Sequence, residues 1–318
     1  MVYILSIIFL FFSAFLYKLI AFRHNIIDKP NYRSSHTKPT IRGGGIIFTL
    51  SILLFFIVND FEYPYFCIGV LLISIVSFLD DIYTLSAKIR FPFQIFSVFL
   101  TLLEVGLPFQ PIYIFIIVLV VCIAVVNFFN FMDGINGLTG MYGLATILGF
   151  YFINLQEEVV NSDLLIYTFI SLLIFGFYNF RKKALFFAGD IGSITLGMLV
   201  VFLGVYFIIS LKSPVILLLI FFYGGDAILT LLYRKLFTKE IVFEPHRHHL
   251  YQKLVDIKKV PHIKVAIGYA LLQTLINVLV YYTYSIDFSI QLLILFILIL
   301  IFIGMYVFLF NYLKRITV

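Results

Sequence analysis

Polar positions in this chain are sparse and bunched, and long apolar runs separate the bunches. Each run has about the 20 residues that a helix needs to cross a bilayer core. The pattern predicts eleven spans, at 2–22, 44–60, 64–80, 91–107, 111–127, 138–155, 164–180, 193–211, 214–233, 263–284 and 288–312. A β-barrel does not fit, because its strands would alternate apolar and polar residues with period two. The expected fold class is therefore all-α: a polytopic membrane protein forming a single integral domain over residues 1–318.

The positive charges orient these spans. With the N-terminus outside, every Lys and Arg except Lys212 falls at the inner face. By the positive-inside rule this predicts a periplasmic N-terminus and a cytoplasmic C-terminus. The first run has its positive charges after the apolar stretch, so it reads as a first span rather than a cleaved signal. The longest inner loop, 234–262, is too short for an independent domain. Any chemistry must then be assembled from several inner loops and the helix ends beside them.

Composition agrees with this picture. The 318 residues are 63% hydrophobic and 12% charged, against about 25% charged in a soluble domain, and the mean hydropathy is +1.11. The net charge of +6 follows from inner-loop basicity facing anionic lipid, and there is no soluble basic domain to suggest nucleic acid as a partner. Cys67 and Cys122 both lie in apolar runs and indicate neither a disulfide framework nor a Cys-based metal site.

The polar bunches carry the candidate chemistry. Four inner segments hold acids: "SFLDDIYTL" with Asp80 and Asp81, "NFFNFMDGINGL" with Asp133, "FFAGDIGS" with Asp190, and "YGGDAIL" with Asp226. An ionised carboxylate in a membrane segment is costly unless it is paired, hydrated or bound to metal. A divalent cation would also relieve the repulsion between Asp80 and Asp81. Mg²⁺ suits such hard oxygen ligands, commonly one or two carboxylates plus substrate phosphates. The fifth segment, "EPHRHHLYQKL", brings His246, His248 and His249. Its spacing is not that of a two-His zinc helix, so phosphate binding or proton transfer is the better expectation. Glycines in "IRGGGI" and "GDIGS" suit either anion binding at helix N-termini or close helix packing. No P-loop or dinucleotide fingerprint is present.

In this order the motifs "DKPNYRSSHTKPTIRGGG", "DDIYTL", "NFFNFMDGINGL", "FFAGDIGS" and "EPHRHHLYQKL" resemble those of the polyprenyl-phosphate N-acetylhexosamine-1-phosphate transferases, the bacterial glycosyltransferase-4 group. The wording is most similar to the branch that initiates O-antigen and capsule synthesis. The resemblance implies that undecaprenyl phosphate attacks the β-phosphorus of a UDP-amino sugar, releasing UMP, at the cytoplasmic face of the bacterial inner membrane. It further implies Mg²⁺, with Mn²⁺ as a substitute, and a homodimer. Carried onto these positions, it gives Asp190, Asp80 and Asp81 the catalytic and metal-binding roles. Asn130, Asp133 and Phe187 become the nucleotide-binding residues, and Arg42, His246, His248 and His249 the phosphate-binding ones. Asn136 stands where many relatives have a second Asp, and an amide cannot supply a carboxylate there.

Two other readings remain. The phospho-MurNAc-pentapeptide translocase of peptidoglycan synthesis is the alternative within the enzyme class. A secondary transporter is the alternative outside it, since intramembrane acids and Gly-broken helices fit that too. Against a transporter, the polar groups gather at one face, no repeat relates two halves, and the last two spans read as almost purely apolar.

Overall fold

The computed structural model describes residues 1–28, 30, 39–238 and 246–315. The segment 31–38, which holds "RSSH", and the Glu244–Pro245 pair lie outside the described residues. Among the described residues the architecture is all-helical apart from one short ribbon, in which β1 (Ile27–Asp28) pairs antiparallel with β2 (Thr40–Ile41), and an isolated bridge from Ile41 to Phe186.

The helices are α1 (Val2–Arg23), α2 (Ile46–Val58), α3 (Pro64–Tyr83), α4 (Ala87–Glu104), α5 (Ile112–Met132), α6 (Leu138–Glu157), α7 (Ser162–Asn179) and α8 (Gly189–Leu211). A 3-10 turn, Pro214–Ile220, runs into α9 (Phe221–Phe237), followed by α10 (Leu250–Asp256), α11 (His262–Thr283) and α12 (Phe288–Arg315). Among the described residues, nine of these elements are long and apolar enough to cross a membrane. The other two expected spans correspond to α2 and α4. Helix α2 has only 13 residues, about 20 Å of helix, because Gly43–Gly45 leave the helical path to pack against α8. Helix α4 begins at Ala87 and so takes Lys88 and Arg90 into its first turn.

Helix α8 is the centre of the bundle. It is buried almost continuously from Ile191 to Leu203, as expected of a helix that is apolar on every side. Helices α2, α3 and α5 pack around it. Glycine permits the closest of these approaches. A Cβ on Gly45 would lie 2.2 Å from the Gly192 Cα, so the starts of α2 and α8 meet backbone to backbone. The N–H groups of Gly44 and Gly45 donate to the carbonyls of Phe187 and Ala188 at 2.8 and 2.9 Å, and Phe187 N–H donates to the Ile41 carbonyl at 2.8 Å.

The last two long helices differ from expectation. Helix α11 carries Gln273 and Asn277, both buried, at the break before α9. Gln273 Nε2 donates to the Leu218 carbonyl at 2.8 Å, and its Oε1 accepts from the Tyr142 hydroxyl at 2.6 Å and the Phe222 amide at 3.4 Å. In α12, Gln291 Oε1 accepts from the Ser213 hydroxyl at 2.8 Å. A helix broken inside lipid frees backbone groups that only neighbouring side chains can satisfy, and Gln273 does so at Leu218 and Phe222.

The bundle has two chemically distinct ends. Tyr3 on α1 meets Asp163 at the start of α7, which puts the N-terminus at one end. The close of α3, the close of α5, the start of α8 and the start of α10 meet at the other. Lys258 contacts Tyr312, so α12 also finishes on that second side.

Candidate active site

Three carboxylates and two guanidinium groups interlock where α3 ends and α8 begins. Arg42, just before α2, places Nε 2.6 Å from Asp81 Oδ1 and Nη2 3.0 Å from Asp190 Oδ1. Arg90, in the first turn of α4, places a single nitrogen, Nη1, 2.6 Å from Asp80 Oδ2 and 3.2 Å from Asp190 Oδ2. The two arginines therefore bracket Asp190 from both sides. Both remain about one third exposed, so the cluster opens to the outside rather than closing as a core ion network. The Arg42 carbonyl accepts from the Tyr17 hydroxyl at 2.5 Å, which ties this loop to α1. Its neighbouring carboxylates hold the Arg42 guanidinium firmly in the charged form.

The two adjacent aspartates are not equivalent. Asp81 has a fully buried side chain. Its Oδ1 accepts from Asp190 N–H at 2.9 Å and its Oδ2 from Ile191 N–H at 3.1 Å. These amides belong to the first turn of α8, which has no intrahelical partners for them. Asp81 thus caps α8 and occupies the N-terminus that the glycine motif left open for an anion. Asp80 turns the other way. Its Oδ1 accepts from the Leu85 amide at 2.5 Å and its Oδ2 faces Arg90.

Asn130, on the last turn of α5, donates to the Ser193 hydroxyl on α8 at 3.2 Å. Asp133 closes α5, and its Oδ1 accepts from the Thr139 hydroxyl at 2.6 Å. Burial raises the Asp133 carboxyl to about 6. Asn136 is turned inward and donates to the carbonyls of Arg181 and Lys182 at 3.1 and 3.2 Å. It fixes the 181–183 loop, a task for which an amide is the right group. Phe187 is half-buried one residue beyond the fully buried Phe186, with its backbone paired to Ile41 and Gly44.

The histidine segment meets α9, and α10 after it packs on α11 and α12. His249 is buried, and its Nδ1 is 3.4 Å from Asp226 Oδ1. His246 is within ring contact of both His248 and His249. Arg247 makes a two-pronged pair with Asp256, at 2.9 and 2.8 Å. Tyr251, on the first turn of α10, donates to the Phe131 carbonyl at 3.3 Å and so leans on the end of α5 that Asp133 closes.

The residues expected from sequence therefore group as one arginine–aspartate cluster, the Asn130–Asp133 end of α5 and one histidine segment, all at the same end of the bundle. Arg90 was missed. In the sequence it reads as one more inner-loop charge, and only its place nine residues after Asp81, in the opening turn of α4, marks it out. Among the described residues no three His, Cys, Asp or Glu side chains form a metal-binding group. What the cluster does offer is two hard oxygens, Asp80 Oδ2 and Asp190 Oδ2, facing one cationic point now held by Arg90 Nη1. That set fits a divalent cation whose remaining ligands come from substrate phosphates and water.

Residues 63–208 match the family model described as glycosyl transferase family 4, a range that contains Asp80, Asp81, Arg90, Asn130, Asp133 and Asp190. A Bacillus subtilis protein named probable undecaprenyl-phosphate N-acetylglucosaminyl 1-phosphate transferase is 27% identical over 262 residues, which cover 75% of this chain and 72% of that protein. A Yersinia pestis undecaprenyl-phosphate alpha-N-acetylglucosaminyl 1-phosphate transferase is 36% identical over 90 residues, 26% of this chain and 24% of its own. The matched range runs from the helix that ends in the paired aspartates to the helix that Asp81 caps, so the similarity to glycosyl transferase family 4 falls on the arginine–aspartate cluster.

Proposed function

We propose that this protein transfers a sugar 1-phosphate from a UDP-N-acetyl amino sugar to undecaprenyl phosphate and releases UMP, beginning a lipid-linked surface polysaccharide. The observation that carries this reading is the bracketing of Asp190 by Arg42 and Arg90, with Asp80 facing the same Arg90 nitrogen. Such a cluster at one end of a membrane bundle suits two phosphorylated substrates, one reaching it along the lipid and one from water. The names of the Bacillus and Yersinia relatives support the same substrates. The charge distribution supports placing this end at the cytoplasmic face of a bacterial inner membrane.

An oxygen of the acceptor phosphate attacks the β-phosphorus of the donor, and the bond from that phosphorus to the UMP oxygen breaks. The acceptor is already an anionic nucleophile, so the protein's work is positioning and charge neutralisation. Arg42 and Arg90 approach phosphate oxygens, and each can fork onto two of them. Asp80 and Asp190 would hold Mg²⁺, or Mn²⁺ in its place, which when bound polarises the donor pyrophosphate and offsets charge on the departing UMP. Asp81 holds the start of α8, and with it Asp190, in register. Asn130 and Asp133 accept and donate at the uracil edge, Phe187 stacks on the base, and His246 and His248 face phosphates.

The test is UMP release by purified protein from a panel of UDP-sugars, with undecaprenyl phosphate and Mg²⁺. Release from at least one UDP-N-acetyl amino sugar, dependent on the lipid, supports the reading. Release only from UDP-MurNAc-pentapeptide would favour the peptidoglycan translocase, and no release from any of them would remove the assignment.

A further inference from the structure

Asp226 lies buried on α9, and none of the steps above uses it. Its carboxylate is nonetheless fully engaged. Oδ1 accepts from the Thr230 hydroxyl at 3.0 Å and the Leu250 amide at 3.1 Å. The same oxygen lies 3.3 Å from the Tyr306 hydroxyl and 3.4 Å from His249 Nδ1. Oδ2 accepts from the Tyr269 hydroxyl at 2.8 Å. These partners come from α9, the start of α10, α11 and α12. A buried carboxylate is costly, and removing it from such a set leaves several donors unpaired at once.

The partners share a direction. Leu250 N–H belongs to the first turn of α10, where the helix cannot satisfy its own amides, and His249 is the residue that caps it. The His249 ring is 5.6 Å from the Tyr251 ring, nearly parallel at 18°. Tyr251 in turn donates to the Phe131 carbonyl. A chain of contacts thus leads from Asp226 through His249 and Tyr251 to the end of α5 that Asp133 closes. Where a short segment enters a site, function depends on its register to within about 1 Å.

We propose that Asp226 is a positioning residue for the transfer reaction: it fixes the His249 ring and the start of α10, and so holds the His246–His249 segment against the end of α5 at Phe131–Asp133. It acts through His249 and does not itself touch substrate. The kinetic part of this proposal rests on the transfer reading above, and its structural part does not.

Two measurements on detergent-solubilised full-length protein test it. The first is the ¹⁵N-histidine ring spectrum, with the His249 signal assigned by its loss in His249→Gln. Asp226→Asn should move that signal and leave those of His24 and His262 in place; an unmoved His249 signal overturns the proposal. If Asp226→Asn fails to fold, Tyr269→Phe replaces it. That variant frees Oδ2 and should move the same signal less far, and no movement again overturns the proposal.

The second measurement is a double-mutant cycle on turnover at saturating substrates. Asp226→Asn alone should slow turnover roughly 10–100-fold, the loss expected of one charged buried hydrogen bond. In a His249→Gln background it should cost about twofold or less, because its route of action is already gone. An equal cost in both backgrounds means Asp226 supports only the fold, and the proposal falls. If the wild type shows no turnover, the transfer reading fails by itself, and the spectrum still decides whether Asp226 positions His249.

Discussion

Replacing Asp81 by Asn keeps the side chain's size and removes its charge. In the structure its two oxygens accept from two α8 amides and from Arg42, at 2.6 to 3.1 Å. An amide has one acceptor oxygen, so its NH₂ must then face a donor. Loss of a helix cap costs about 0.5–2 kcal/mol. Breaking a buried ion pair from one side costs roughly 3–5 kcal/mol, here reduced because Arg42 keeps Asp190 and is partly exposed. A net loss of about 2–4 kcal/mol corresponds to a fall in the melting midpoint of roughly 5–10 °C. The chain carries its own reporter, since its two cysteines, Cys67 and Cys122, are both buried. A thiol-reactive fluorophore will label them as the bundle opens. Asp80→Asn can keep its bond to the Leu85 amide through its own carbonyl oxygen, so it should melt closer to wild type while losing turnover. If Asp81→Asn melts with the wild type and loses only turnover, Asp81 faces substrate or metal and the capping argument is wrong.

Three further outcomes follow from the same geometry. Asp190→Asn should fold and lose about 10²–10³-fold in turnover, the usual loss for one transition-state charge clamp; near-normal turnover would pass the ligand role to Asp80. Because the Asp133 carboxyl is raised to about 6, it is mostly protonated at pH 5 and ionised at pH 7. Affinity for a UDP-sugar should therefore rise about tenfold over that interval; Asp133→Asn should flatten the calorimetric profile, and a profile unchanged by the substitution refutes the uracil contact. The same shift has the opposite sign for stability, which Asp133 lends below its unfolded value and withdraws as pH climbs through about 6. In intact cells, Asn161→Cys should react with an impermeant thiol reagent and Lys258→Cys should not; equal labelling would overturn the orientation.

The helices were legible because lipid demands long apolar runs, and the acids stood out against them. Legibility ended where the answer depended on a partner distant in the chain. The 44–60 span overreached because Gly44 and Gly45 look apolar, yet their purpose is to let α2 touch Gly192. Arg90 looked like an ordinary inner-loop charge because its partners, Asp80 and Asp190, lie on two other helices. Asp226 and His249 are 23 residues apart on separate elements, so no local pattern announces that they meet. Gln273 and Asn277 were masked by the apolar average of α11, although the break before α9 requires an amide such as Gln273, which Asn277 in turn holds. The difference between Asp80 and Asp81 could not be read at all, since adjacent identical residues are separated only by which way each points.

The central claim is that phosphorus moves with the sugar, and a donor labelled at its β-phosphorus tests this most directly. With UDP-[β-³²P]N-acetylglucosamine, or whichever amino sugar the panel selects, purified protein and undecaprenyl phosphate should carry the label into the lipid phase, with one unlabelled UMP released per labelled lipid. Transfer of the sugar alone would leave the label in water as UDP, and that result would contradict the account.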